Sequence, residues 1–297
     1  MIFRRKLYND MLRWKNERKG TTALLIKGAR RVGKSTLAEE FAKNEYKTYI
    51  LIDFAHVSPK MAALFEDMSD LNFFFMHLQL ETGVTLYERE SVIIFDEVQL
   101  QPKARQAIKY LVKDGRYDYI ETGSLLSIKK NVQGIVIPSE ETRVTLQPMD
   151  FEEFYWAVGN TTSYGILKQF FEQHHALNES HRKVMRDLRL YMLVGGMPQA
   201  VDTYLSTNNL QAVDEKKREI IELYKDDFNK IDPTGRASQL FAAIPAQLNS
   251  NAGRYQIASV LENQDAQRVA EVVADMADSM TISLAYHAND PNVGLPM

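Results

Sequence analysis

The 297-residue sequence contains no cysteine. That absence excludes disulfide frameworks, Cys-ligated zinc, iron–sulfur clusters and thiol nucleophiles. It also fits a reducing compartment. No stretch approaches 18 uninterrupted apolar residues, so no membrane-spanning helix is expected. Residues 1–14 do not form a signal peptide, because their basic residues lead into Asn9, Asp10 and Arg13 rather than an apolar core. The expectation is a cytoplasmic chain. Charge of one sign is not in excess either. The 36 Lys and Arg against 39 Asp and Glu leave a net charge of −3, which excludes coating nucleic acid by charge alone. Neither internal repeats nor low-complexity tracts occur. The six histidines show no metal-ligand spacing; His174 and His181, seven apart, are too far apart on a helix face to share one ion.

What is present is ordinary globular composition, 45% hydrophobic and 25% charged, over a length that suggests two domains or three small ones. Residues 3–19 carry seven Lys and Arg, while Phe3, Leu7, Met11 and Trp14 recur at helical spacing. This pattern reads as a docked helix with a solvated basic face; the alternative is a phosphate-backbone contact. Strand-like runs at 23–27, 48–54, 91–96 and 117–121 alternate with helical patterns at 34–43, 60–68, 70–81 and 104–113. Such alternation predicts an α/β fold, a parallel sheet covered by helices. The continuous apolar run Val92-Ile93-Ile94-Phe95 suits a strand buried on both faces. Phe73-Phe74-Phe75 reads as core packing.

Gly28-Ala29-Arg30-Arg31-Val32-Gly33-Lys34-Ser35 fits G-x-x-x-x-G-K-[ST], the phosphate-binding loop or Walker A motif, with Thr36 continuing into the helix. Glycines let successive backbone N–H groups face an anion, and the following helix adds its positive end. Lys34 supplies a point charge to the β- and γ-phosphates, and the Ser35 hydroxyl is the expected Mg²⁺ ligand. Val92–Phe95 ends in Asp96 and Glu97, a Walker B pattern. Asp96 is placed to hold Mg²⁺, and Glu97 to orient and polarise an attacking water, which points to hydrolysis. Thr122 and Ser124, at the end of a further strand, are alternative γ-phosphate sensors, or hydroxyls capping the next helix. No Asn/Thr-Lys-x-Asp guanine signature appears in the expected region, which favours ATP.

The order LLIKGARRVGKST, VIIFDEVQ, ETGS, Arg143 through Pro148 to Phe154, Gly195-Gly196-Met197-Pro198 and Tyr224-Lys225-Asp226-Asp227 resembles a family of prokaryotic AAA-type P-loop ATPases. In that family the AAA core precedes a C-terminal DUF4143-like domain, and members usually continue into an endonuclease-like domain. The resemblance implies an ATPase core over 1–148, a helical lid over 149–231 and a small winged-helix-like segment over 232–297. It also makes Arg143 the best candidate for an arginine finger, ahead of Arg105 and Arg116, although Thr142 stands where the family commonly has Gly. The turn-rich ending 289–297 is read as the truncation of a longer chain.

Gly195-Gly196-Met197-Pro198 reads as a helix stop or as a hinge. Helical patterns are expected over 238–248, 255–262 and 264–279, and a strand over 281–285. The last helix is acidic (Asp265, Glu271, Asp275, Asp278 against Arg268), which argues against major-groove reading. The sequence thus leaves four functional readings. One is an ATPase driving conformational change against a protein or DNA partner. The others are a DNA-stimulated motor or loader, a small-molecule kinase, and a nucleotide-binding switch with little turnover. A homo-oligomer is a further expectation.

Overall fold

The computed structural model describes residues 1–123, 139–249, 254–261 and 266–285. Five short strands build one sheet: β1 (Ala23–Lys27), β2 (Thr48–Asp53), β3 (Ser91–Asp96), β4 (Asp118–Gly123) and β5 (Glu141–Thr145). All pairings are parallel, in the order β2-β3-β4-β1-β5. β4 therefore lies between the strand that feeds the phosphate-binding loop and the strand that ends in Asp96. β3 and β4 are buried along their whole length. Parallel strands with both faces covered must be apolar on both sides, which is why SVIIFD shows no polar alternation until its end.

The side-chain alternation of the strands sends neighbouring residues to opposite faces. On one face, Ile93, Phe95 and Tyr119 join Phe54, Phe65, Phe74 and Phe75 in a cluster closed by α3 (Pro59–Ala63), α4 (Leu71–Thr82) and α5 (Pro102–Asp114). On the other, Leu24, Ile26, Val92, Ile94 and Ile120 pack against α1 (Leu7–Arg18) and α2 (Lys34–Glu45) through Leu7, Met11, Trp14 and Phe41. The aromatic run is only partly core: Phe74 and Phe75 are buried, whereas Phe73 is exposed, its ring tilted against His77 with centroids 4.2 Å apart. The α1 stripe is likewise split. Leu7, Met11 and Trp14 face the sheet, but Phe3 precedes the helix and packs into a different cluster.

Local chemistry sets the helix ends. The Asp70 carboxylate accepts the Asn72 and Phe73 N–H groups at the start of α4, and Gly83 closes it with φ 68°. Ser58 caps α3 ahead of Pro59, and Asp150 caps the short α6 (Phe151–Ala157). α7 (Ser163–Glu172), α8 (Ser180–Val194), α9 (Pro198–Thr207) and α10 (Leu210–Ile231) follow. Met149, Phe154, Val194, Ala200, Val201 and Val213 form a core shared by α6, α8, α9 and α10.

Two compact units are seen, Met1–Leu223 and Tyr224–Met297. In the second, α11 (Arg236–Asn249) and α12 (Ala266–Asp278) pack around Tyr224, Phe228, Leu240, Val269, Val272 and Met276. Asp232 accepts the Ala237 N–H at 3.2 Å at the start of α11. The helix expected over 255–262 is, among the described residues, only a 3₁₀ turn at Ile257–Ser259, and the run 281–285 forms no strand. Tyr255 nevertheless packs back on α11, its hydroxyl donating to the Leu240 carbonyl at 2.7 Å. No helix among the described residues is long and apolar enough to cross a membrane.

A buried charge cluster ties α5 to the sheet. Arg105 lies 3.4 Å from Glu121 on β4 and 2.9 Å from Glu141 on β5. All three side chains are at most 1% exposed. Burial, then the neighbouring Glu141, pushes the Glu121 carboxyl well above its ordinary 4.5, against the pull of Arg105 and Arg143. Removing one member of such a cluster leaves an uncompensated buried charge. Arg105→Ala should therefore cost about 3–5 kcal/mol in urea denaturation. Because Glu121 holds its proton more tightly folded than unfolded, its stabilisation is greatest at acid pH. It is lost as pH rises from 4.5 through the folded value. Glu121→Gln should accordingly raise stability more at pH 8 than at pH 5, measured by the same denaturation.

Candidate functional site

The loop that joins β1 to α2 carries Gly28 through Ser35. Arg31 (φ 65°) and Gly33 (φ 96°) both adopt left-handed backbone, and Lys34 opens α2 directly afterwards. Such alternation turns successive N–H groups to one side and places them at a helix start, which is a general anion cradle. Gly33 supplies the conformation without strain, whereas Arg31 adopts it at a cost. Ala29 and Val32 are buried beneath the loop; Arg30 and Arg31 stand at its rim and Thr36 is exposed on α2.

Lys34 is almost wholly buried, and its Nζ donates to the carbonyls of Gly28 (3.1 Å) and Ala29 (3.0 Å). Burial lowers its pKa below the usual lysine value, with Glu97 and Asp96 pulling upward and Arg30 adding to the lowering. Across the cavity, Ser35 Oγ donates to Asp96 Oδ1 at 2.7 Å. The Thr122 hydroxyl donates to the same oxygen and accepts the Glu97 N–H at 3.3 Å. One carboxylate oxygen thus gathers hydroxyls from the loop helix and from β4. Glu97 itself sits in left-handed backbone (φ 53°), and its carboxylate accepts from the Gln99 side-chain amide.

These groups line one open cavity of about 470 Å³. Arg30, Arg31, Gly33, Lys34, Ser35, Thr36, Asp96 and Glu97 face it, so the two sequence motifs meet in space. Thr122 reaches the cluster through Asp96. Arg143 does not face the cavity. It lies on β5 opposite Leu25, half exposed, and its Nε pairs with Glu141 at 3.3 Å. Arg105 is buried, and Arg116 is held by Asp114 and Asn72. Ser124 lies outside the described residues. Among the described residues, no group of three or more His, Asp or Glu side chains could hold a metal ion by itself.

Sequence reasoning missed part of the wall. Asp53 and His56, bonded at 2.7 Å, border the cavity beyond β2. Met1, Ile2, Phe3 and Arg5 border it from the chain start, and Pro198, Gln199 and Asp202 from α9. Spacing gives no sign of these residues, because separate elements bring them there. The Gly-Gly-Met-Pro motif was the nearest signal. Gly196 donates no side chain to the site; its carbonyl accepts the Met149 N–H at 2.7 Å.

Residues 20–155 match the model of an AAA domain, and residues 185–296 match that of a domain of unknown function (DUF8612), where the resemblance had implied a DUF4143-like one. Among curated proteins no sequence matches. A solved Walker-type ATPase of Pyrococcus abyssi is similar in structure, with a TM-score of 0.54 and 17% identity, over 94% of this chain and 90% of that one. The RuvB Holliday junction branch migration motor of Thermotoga maritima scores 0.40 at 14% identity, over 93% and 88%. Drosophila ORC bound to DNA scores 0.40 at 15%, over 96% and 83%. The fold is that of P-loop ATPases, and the AAA domain supports nucleotide binding and hydrolysis in general.

A Cβ added to Gly196 would lie 2.1 Å from the Met149 carbonyl oxygen, a backbone atom that cannot swing aside. Gly196→Ala should therefore destabilise by about 1–3 kcal/mol, the usual cost of overpacking, as a lower thermal midpoint.

Proposed function

We propose that this chain binds and hydrolyses Mg-ATP and uses the cycle to change its conformation against a protein or DNA partner. The observation that carries this reading is the Ser35–Asp96–Thr122 hydrogen-bonded cluster beside Lys34 and Glu97. The residues fit the groups they would hold. The loop N–H groups from Gly28 to Ser35, with Lys34, bind the phosphates. Ser35 and Asp96 would hold Mg²⁺, which supplies charge neutralisation on the β- and γ-phosphate oxygens. Glu97, one residue past the metal carboxylate, holds the attacking water and takes its proton. Thr122 links Glu97's backbone to Asp96, so it registers any shift of that carboxylate when the γ-phosphate leaves. Ser124 remains the alternative sensor. Arg143, exposed on β5, is proposed as a finger for a neighbouring copy in a homo-oligomer.

A second reading has its own observation. One oxygen of the Glu97 carboxylate is tied to Gln99, a bond that fixes the side chain's orientation until it is released. A switch with little intrinsic turnover, awaiting a partner, behaves in this way.

The test is Mg-ATP turnover at several protein concentrations, with and without duplex DNA. Glu97→Gln should keep nucleotide affinity and lower kcat by about 10²–10⁴, the usual worth of a positioned base. Lys34→Ala should lose affinity. Turnover that rises with concentration and disappears in Glu97→Gln supports the oligomeric ATPase. A further rise with DNA supports the motor, and binding without turnover supports the switch. Equal rates for wild type and Glu97→Gln would remove Glu97 from its role.

A further inference from the structure

Of the basic residues near the chain start, Arg5 alone is buried, at 6% exposure. Its guanidinium serves three acceptors on three different segments. Nη1 donates to the Val32 carbonyl of the phosphate loop at 3.0 Å. Nη2 donates to the Gln147 carbonyl, where the chain leaves β5 for α6. Nε donates to the Glu153 carboxylate on α6 at 3.1 Å. Glu153 is buried too, and its other oxygen accepts the Lys6 N–H at 2.6 Å. The neighbours of Arg5 reinforce the same junction: Lys6 pairs with Asp150 and Glu152, and Arg4 lies 4.2 Å over the Trp156 ring.

The position on the loop matters. Val32 precedes Gly33 and Lys34, and in a trans peptide the C=O and the next N–H point in opposite directions. A donor fixed on the Val32 carbonyl therefore turns the Gly33 N–H away from Arg5 and holds that peptide plane. Gly33 also meets the helical segment from α9: a Cβ there would be 3.6 Å from Pro198 Cγ and 3.8 Å from Arg5 Nη1. Met149, just before α6, is bonded in turn to the junction of α8 and α9: its N–H donates to the Gly196 carbonyl, and its carbonyl accepts the Tyr191 hydroxyl of α8 at 2.9 Å.

The geometry points to Arg5 as a positioning residue. It sets the phosphate loop for nucleotide and, through Glu153, passes the loop's state to the helices from 149 to 207. This rests on the nucleotide-binding reading above. A planar guanidinium can serve three diverging acceptors at once; an ammonium cannot match that fork. A buried charged pair is also a rigid link, since shifting one member alone strands the other. The site thereby gains a mechanical outlet: movement at Val32 on binding phosphate moves Arg5, and Arg5 moves α6.

The experiment compares wild type, Arg5→Lys, Glu153→Gln and the double variant Arg5→Met/Glu153→Gln, which leaves no unpaired buried charge. Thermal midpoints without nucleotide verify folding. Mg-ATP affinity is measured by calorimetry, and amide hydrogen exchange of residues 149–158 is followed with and without Mg-ATP. In wild type, nucleotide should slow exchange in α6. Glu153→Gln, which retains the Arg5 bond to Val32, should keep affinity within about two-fold but weaken that slowing, because a neutral amide makes the weaker hydrogen bond. The double variant should lose about ten-fold in affinity and all of the α6 response, since hydrogen bonds to charged groups carry roughly that much. Arg5→Lys should fall between. A folded double variant with wild-type affinity, or a Glu153→Gln whose α6 responds fully, overturns the proposal while leaving the ATPase reading intact. Absence of Mg-ATP binding by wild type overturns both.

Discussion

The parallel ladder of β3, β4 and β1 sets everything else in the first unit. Its register pairs Phe95 with Glu121 and Lys27 with Gly123. Thr122 therefore arrives beside Asp96, and the phosphate loop begins beside the end of β4. A slip of one residue would turn each strand's side chains to the opposite face. Both faces are apolar, so the resistance to that slip is one of shape: Ile93 and Phe95 would exchange places with Val92 and Ile94 in two differently filled layers. The polar cluster at the carboxyl edge is thus positioned by the hydrophobic residues behind it, and ligand sites in open α/β sheets lie at that edge for the same reason.

The parts of the chain that were legible in the sequence are those whose signal is local. The Gly28–Ser35 loop has a fixed spacing, and β1 and β3 have continuous apolar runs. β5 was not, because ETRVT shows half-buried, mixed chemistry and takes its strand conformation from pairing with β1. The 3₁₀ turn at Ile257–Ser259 shows the reverse error, where apolar periodicity over 255–262 suggested a helix that the described residues do not form. At the site, Lys34, Ser35, Asp96 and Glu97 could be named from spacing, and so could Thr122 as one of two hydroxyls. Arg5, Asp53, His56 and Pro198 could not. Their places along the cavity arise from long-range contacts, and an arginine among seven nearby cations gives no sign that it alone will be buried.

Burial of charge follows two patterns here. Arg105, Glu121 and Glu141 form a cluster on the far side of β4 from Asp96, where they tie a helix to two strands. Arg5 and Glu153 tie the β1–α2 loop, proposed above to receive phosphate, to a helix outside the sheet. Desolvation is costly in both places, and well-packed apolar residues could have joined the same elements with less penalty. The difference lies in what is held. The first cluster holds strands already fixed by their ladder. The second holds the Val32–Gly33 peptide plane, and hydrogen-bond direction can specify such an orientation where packing cannot.

β5 is also an edge of the sheet, with no further strand beyond it among the described residues. An open parallel edge is a template for another chain's backbone. This one is five residues long and carries Glu141 and Arg143 within it, the arginine reaching into water. A second copy that added a strand here would have to strip hydration from that charge. The edge therefore disfavours growth by backbone pairing.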